Sequence, residues 1–144
     1  MRKNASILLA VIALGTHLLF GAGPVIAAEV SPDGSVTAYY FHGTFRCPTC
    51  QKMERYSQEA IENNFKDALD SGKLVFKAVN IENNGNKHFV KDYQLYTKSL
   101  VLSLAKDGKE VRSKNLDMIW EYVGNKERYE KYVRDEVAAF LREA

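Results

Sequence analysis

Two cysteines, Cys47 and Cys50, are the residues whose type and spacing can support redox chemistry in this sequence. An apolar run at 39–41 precedes them, and a helical pattern follows from Gln51. A cysteine at the mouth of a helix faces unpaired backbone N–H groups and the positive end of the helix dipole, which favour the thiolate. The spacing therefore predicts a reactive dithiol–disulfide pair, with Cys50 about one turn inside the helix.

Four neighbours of the pair are candidates for tuning it. Arg46 adds a positive charge beside Cys47, although it can equally be a solvated side chain. Pro48 suits the first turn of a helix, where its missing N–H costs no hydrogen bond. Thr49 completes the C-P-T-C motif, and His42 ends the preceding apolar run. A histidine there is either an ordinary residue at a strand end or a titrating partner of the dithiol.

Two other uses of the cysteine pair remain open. A structural crosslink is one, although a loop this short removes little entropy from the unfolded chain. A metal site is the other, because C-x-x-C is also half of a zinc site that needs four ligands. Only His42 lies nearby in sequence, and His88 could join only through the fold. We assign no metal ligands. If the alternative holds, Cu(I), Zn or trivalent arsenic are the ions that two thiolates and an imidazole would suit.

The N-terminus has the pattern of a secretory signal peptide. Arg2 and Lys3 precede an apolar run at 7–14 that is interrupted at 15–17, and small residues follow at 27–28. The run is short for a membrane span, although an uncleaved anchor remains the alternative. We expect a signal peptide at 1–27, a linker at 28–35 and one folded domain at 36–144. The protein would then be periplasmic or secreted, without stable membrane insertion after cleavage.

The charge balance limits the kinds of partner. Without Arg2 and Lys3, the 20 basic residues of the chain become 18, equal to its 18 acidic residues. A near-neutral domain argues against nucleic acid and against a polybasic membrane anchor. No glycine-rich phosphate turn follows a strand, so we expect no flavin or nicotinamide cofactor. An exported pair that must be reduced to work needs an electron donor outside the cytoplasm. We expect the partner to be a protein dithiol or disulfide that donates electrons to the pair or accepts them from it.

The order of predicted elements defines the fold class. Strands are expected at 36–41, 74–81, 99–104 and from 110, with a hairpin turn at Asp107-Gly108. Helices are expected from 48 to about 71, at 87–94, and after the capping residues Asn115 and Asn125. This order predicts an α/β sandwich, with helices on both faces of a mixed sheet. Aromatic residues form 11% of the chain, and we expect them mainly in the core.

With C-x-x-C after its first strand, this order resembles the thioredoxin fold. The segments at 79–82 and 89–95 support the resemblance, which covers about 36–144. It implies a three-layer sandwich and an exchange mechanism in which Cys47 attacks a partner disulfide and Cys50 resolves the mixed disulfide.

Two positions depart from the thioredoxin pattern. Lys98 stands about where thioredoxins carry a cis-proline, and a cis bond before a residue other than proline costs about 3 kcal/mol. Lys98 is a candidate for lowering the Cys47 pKa, and the resemblance implies that Thr97 presents backbone groups to a substrate. Phe41 stands where many relatives bury an acid, so any proton acceptor for Cys50 would be water, His42 or Lys98.

A narrower resemblance involves the segments at 39–50 and 88–96. These are similar to the exported nitrophenyl compound nitroreductase subunit family, ArsF-type, which implies an electron-transfer role toward nitroaromatic compounds through a partner. The leading hypothesis is an exported thiol–disulfide oxidoreductase. The alternatives are a metal- or metalloid-binding thioredoxin-like protein, and a redox-inert interaction module with a locked disulfide.

Overall fold

The computed structural model describes residues 34–144, which form a four-stranded sheet with helices on both faces. In chain order the elements are β1 (Ser35–His42), α1 (Pro48–Asn64), α2 (Lys66–Asp70), β2 (Leu74–Asn80), α3 (His88–Asp92), β3 (Ser99–Lys106), β4 (Lys109–Asn115), α4 (Ile119–Tyr122) and α5 (Lys126–Leu141). The predicted signal peptide and almost all of the predicted linker lie outside the described residues. Ser35, assigned to the linker, belongs to β1.

The sheet is mixed, with the strand order β2-β1-β3-β4. Strands β1 and β2 run parallel, whereas β3 is antiparallel to both β1 and β4. Phe41 near the end of β1 lies opposite Ser99 at the start of β3, and Val101 lies opposite Asn115 at the end of β4. The segments that leave β1 and β4, and the one that enters β3, therefore meet at one end of the sheet.

Alternating side chains of β1 supply the two faces of the sheet, as a strand's period of two requires. Val36, Ala38 and Tyr40 belong to the larger core, which is shared with α1 and α5. Phe41 belongs to a smaller core on the other face, against which Tyr39 and Phe89 of α3 pack. The predicted three-layer α/β architecture is thus confirmed.

Helices α1 and α5 pack against each other through an apolar stripe on each. Met53, Ala60 and Ile61 are buried on α1, and Tyr129, Val133, Val137 and Phe140 are buried on α5. The side chain of Asn125 caps α5 by accepting a hydrogen bond from the Arg128 N–H at 3.0 Å, as predicted. The packing between the helices fixes α1, and with it the C-x-x-C segment at its start.

Three predicted element bounds were wrong. The long first helix is interrupted at Phe65, whose φ of −134° and ψ of 36° separate α1 from α2. Helix α3 is shorter than predicted and follows a 3-10 turn at Asn84–Asn86. Asn115 does not cap a helix, because pairing with Val101 keeps it extended as the last residue of β4. The predicted hairpin turn is confirmed, with positive φ at Asp107 and Gly108.

Not all of the aromatic residues are in the core. Tyr96 is 94% exposed, Phe45 77% and Trp120 40%. Tyr96 lies in the loop before β3, and Trp120 lies on the short helix α4. These residues are therefore exceptions to the expectation that the aromatic residues lie mainly in the core. Within residues 34–144, no helix is long and apolar enough to cross a membrane.

Candidate functional site

Cys47 and Cys50 form a disulfide at the start of α1, with their Cα atoms 5.1 Å apart. Cys47 is the N-cap residue of α1, and Pro48 occupies the first helical turn. Cys47 is partly exposed, and its sulfur accepts a hydrogen bond from the Cys50 N–H at 3.2 Å. Cys50 is only 1% exposed. Cys47 is therefore the member of the pair that a partner can approach from solvent, whereas Cys50 is shielded from solvent by the protein.

The hydroxyl of Tyr40 lies behind the disulfide. It donates a hydrogen bond to the backbone carbonyl of Cys50, with an oxygen–oxygen distance of 2.7 Å. Tyr40 has no exposed surface, and burial raises its pKa to about 12, although the charge of Arg46 opposes that shift. The hydroxyl is therefore protonated at neutral pH and available as a hydrogen-bond donor.

Arg46 is oriented by α1 as well as by its place beside Cys47. Its guanidinium forms an ion pair with the Glu54 carboxylate, and its carbonyl accepts a hydrogen bond from the Gln51 side chain at 3.3 Å. The two charged groups keep 29% and 21% of their side-chain surfaces exposed, so solvent screens the pair only partly. The positive charge predicted to stabilise the Cys47 thiolate is therefore shared with an acid.

The loop between β1 and Cys47 is anchored by an acid that follows β2. Hydrogen bonding from the side chain and the backbone of Thr44 holds the pKa of the Glu82 carboxylate below its usual value. The Thr44 hydroxyl also accepts a hydrogen bond from the Asn80 amide at 3.1 Å. A Cβ atom on Gly43 would lie 2.5 Å from Oε1 of Glu82, so glycine permits this close approach.

Two of the predicted tuning residues, Lys98 and His42, act on Glu82 through their charges. The hydrogen bonds from Thr44 lower the pKa of Glu82 most, and the charges of Lys98 and His42 lower it further. His42 is also linked to the loop, with its Nδ1 atom 2.9 Å from the carbonyl of Gly43. Lys98 and His42 thus share an acidic neighbour at the end of the sheet where the disulfide lies.

The segment before β3 contains Lys98, and the sequence leaves open whether the bond before this residue is cis or trans. Residues 34–144 contain no cis peptide bond, so the bond between Thr97 and Lys98 is trans. The carbonyl of Lys98 accepts a hydrogen bond from the Trp120 indole at 3.0 Å, and the carbonyl of Thr97 accepts one from the Ser99 hydroxyl at 3.0 Å. Both carbonyls are held by side chains within the chain.

Exposed residues complete this end of the molecule. Pro48 and Thr49 lie on the surface between the two cysteines. The exposed aromatic residues Phe45 and Tyr96 belong to the two loops that meet here, since Phe41 pairs with Ser99. Among residues 34–144, no cluster of three or more histidine, cysteine or acidic side chains could hold a metal ion. The ring of His88 packs at a tilt against that of Phe89, with ring centroids 4.1 Å apart.

Three residues at the site were not singled out from the sequence. Tyr40 was grouped with the core aromatics, although a hydroxyl in an otherwise apolar strand signals a buried hydrogen bond. Glu54 lies four residues after Cys50, and residues with this spacing share one face of a helix. The spacing could therefore have indicated that Glu54 lies near the C-x-x-C pair. Glu82 could not be found from local sequence, because only the parallel pairing of β1 with β2 brings it beside Thr44.

Comparison with known proteins gives little beyond the fold. No protein-family model matches the chain, and no curated protein matches it. Among solved structures, it is similar to thioredoxin from Trypanosoma brucei brucei, with 20% identity over 75% of this chain and 79% of that chain, at a TM-score of 0.39.

The topology of the chain itself defines the fold. A parallel β1-α1-β2 unit is followed by α3 and an antiparallel β3–β4 hairpin, with a helix at the end. The disulfide lies between the first strand and the first helix. This is a thioredoxin-like fold with a C-x-x-C pair. Membership of the nitroreductase subunit family stays a prediction.

Proposed function

We propose that this protein is an exported thiol–disulfide oxidoreductase that uses Cys47 and Cys50. One observation carries the proposal: Cys47 is partly exposed at the N-terminus of α1, while its disulfide partner Cys50 is buried. The helix N-terminus favours a thiolate at Cys47 when the pair is reduced. A crosslink with a purely structural role has no need for one exposed sulfur at such a position.

Exchange with a dithiol partner proceeds in two steps. A thiolate of the partner attacks the accessible sulfur of Cys47, the bond between Cys47 and Cys50 breaks, and Cys50 leaves as a thiolate that takes up a proton. The second partner thiolate then attacks the partner's own sulfur in the mixed disulfide, and Cys47 leaves as a thiolate. The partner has lost two electrons and the protein has gained them. The same atoms run the reaction in reverse.

The finer assignments depend on sequence patterns. The signal-like N-terminus supports export to the periplasm or the exterior, and the near-neutral domain supports a protein partner rather than nucleic acid. The resemblance to nitroreductase subunits supports a role in passing electrons toward a nitroaromatic compound through that partner. In this role Cys47 and Cys50 would carry the electrons, because no other redox group is expected from the sequence.

A redox titration tests the proposal. The purified protein is equilibrated in dithiothreitol buffers of graded potential, and free thiols are counted with and without Zn²⁺, Cu(I) or arsenite. A reversible two-electron transition in the range of known exchange proteins supports the proposal. A pair that resists reduction supports a redox-inert module, and would contradict it.

Single-cysteine variants separate the remaining alternative. Cys50→Ser should accumulate a mixed disulfide with a model protein disulfide, because its Cys47 thiolate can attack that disulfide and no second cysteine resolves the product. Cys47→Ser should not, because its remaining cysteine is buried. Stoichiometric metal binding that is lost in Cys47→Ser, in a protein that does not exchange disulfides, would instead support the metal- or metalloid-binding function.

A further inference from the structure

Tyr40 connects the centre of the sheet to the first turn of the helix that carries the disulfide. Its backbone pairs with Ala78 on one side and Leu100 on the other, and its side chain is fully buried. The position of its hydroxyl is therefore fixed by the sheet. That hydroxyl donates to the carbonyl of Cys50 at 2.7 Å.

We propose that Tyr40 is a positioning residue for Cys50, an inference that rests on the proposed disulfide exchange. The hydrogen bond holds the turn that carries Cys50 against the sheet, and thereby keeps its sulfur directed at Cys47. The side chain of Phe41 faces the opposite side of the sheet and packs with Phe89, so it supplies no polar group to this position.

The step that depends on Tyr40 is resolution of the mixed disulfide. The Cys50 thiolate attacks the sulfur of Cys47, a Cys47–Cys50 bond forms, and the bond from Cys47 to the partner breaks. The partner leaves as a thiolate and takes a proton from solvent, and Tyr40 exchanges neither electrons nor protons. Reaction within one molecule depends on how well the two reacting atoms are held together. Loosening the first turn of α1 lowers the effective concentration of Cys50 at Cys47.

Tyr129 provides a matched control on the same helix. It is also fully buried, and its hydroxyl donates to the carbonyl of Met53 at 3.0 Å and lies 2.8 Å from the Ser57 hydroxyl. Met53 is one turn beyond Cys50. Tyr129→Phe therefore removes a buried hydroxyl that binds a carbonyl of α1, without touching the turn that carries the cysteines.

The experiment compares the wild-type protein with Tyr40→Phe and Tyr129→Phe. The equilibrium between disulfide and dithiol is measured against dithiothreitol, and the rate of mixed-disulfide resolution is measured after reaction with a model protein disulfide. We expect Tyr40→Phe to shift the equilibrium toward the dithiol and to slow resolution of the mixed disulfide. Each effect should be roughly three- to tenfold, which corresponds to the net free energy of one hydrogen bond. Tyr129→Phe should leave the equilibrium constant and the rate of resolution within about twofold of the wild-type values.

Two results would overturn the inference while leaving the proposed function intact. One is a Tyr40→Phe protein that exchanges like wild type, and the other is a Tyr129→Phe protein that is equally impaired. Fluorotyrosine at position 40, a stronger donor that keeps the hydroxyl, should move the equilibrium in the opposite direction, and no movement would also count against the inference. A wild-type protein that does not exchange disulfides would contradict the proposed function itself.

Discussion

The guanidinium of Arg46 is paired with the carboxylate of Glu54, one helical turn beyond Cys50. An acid on this face of α1 offsets the positive charge that immediately precedes the nucleophilic cysteine. The charge available to stabilise a Cys47 thiolate is thus smaller than the sequence around the C-x-x-C motif indicates.

Replacing Glu54 with glutamine should release Arg46 and lower the pKa of Cys47. We expect a decrease of about half a pH unit, because one partly screened charge is removed. The measurement is the ultraviolet absorbance of the thiolate in the reduced protein as a function of pH. Glu62→Gln, on the exposed end of the same helix, is the control and should leave the Cys47 pKa unchanged. A Glu54→Gln protein with an unaltered pKa would show that Arg46 does not act on Cys47.

Lys98 should act on the same thiolate from the neighbouring loop. Lys98→Glu replaces a positive charge with a negative one, so we expect the pKa of Cys47 to rise by roughly half a unit. The comparison variant is Lys91→Glu on α3, which makes the same charge change on the other face of the sheet. If the thiolate titration is the same in Lys98→Glu as in wild type, Lys98 is not part of the site.

Glu82 should give the protein a pH-dependent stability. Its pKa is lowered from 4.5 in the folded protein, mainly by the hydrogen bonds from Thr44. The ionised carboxylate is therefore favoured by folding, so its stabilisation is complete above the unfolded pKa and is lost as the pH falls through the lower, folded value. Urea unfolding of wild type and Glu82→Gln should differ at pH 7 and converge in acid. A constant difference across that range would contradict the assignment.

The variant Gly43→Ala should reproduce the loss of this anchor. The added Cβ atom would lie 2.5 Å from Oε1 of Glu82 and displace the carboxylate from Thr44. We therefore expect that Gly43→Ala removes the acid-dependent part of the stability, and that adding Glu82→Gln causes no further loss. Additive effects in the double variant would show that Gly43 and Glu82 act independently.

Much of the fold follows from sequence patterns that are local. The apolar run before the cysteines predicted β1, the recurring apolar positions after Pro48 predicted α1, and Asp107-Gly108 predicted the β3–β4 hairpin. The helix break at Phe65 has no glycine or proline to signal it. The extended state of Asn115 depends on pairing with β3, which local capping preference does not reveal.

The site was only partly predictable for a related reason. The C-x-x-C spacing and the following helix indicate where the two sulfurs lie, because both depend on neighbouring residues. Glu82 and Tyr40 reach the site through the sheet, from a parallel strand and from a buried side chain. Tyr96 and Trp120 are exposed at the same end, although aromatic type alone indicates core positions. Contacts that depend on strand pairing in the sheet could not be predicted from the order of residues along the chain.

The most direct test of the account is to find which sulfur of the reduced protein reacts first. The protein is treated with less than one equivalent of iodoacetamide over a range of pH, and the modified cysteine is identified by mass spectrometry. We predict modification at Cys47, with an apparent pKa below the value of about 8.5 for a free cysteine. Modification of Cys50 first, or an apparent pKa for Cys47 at or above that value, would contradict the account.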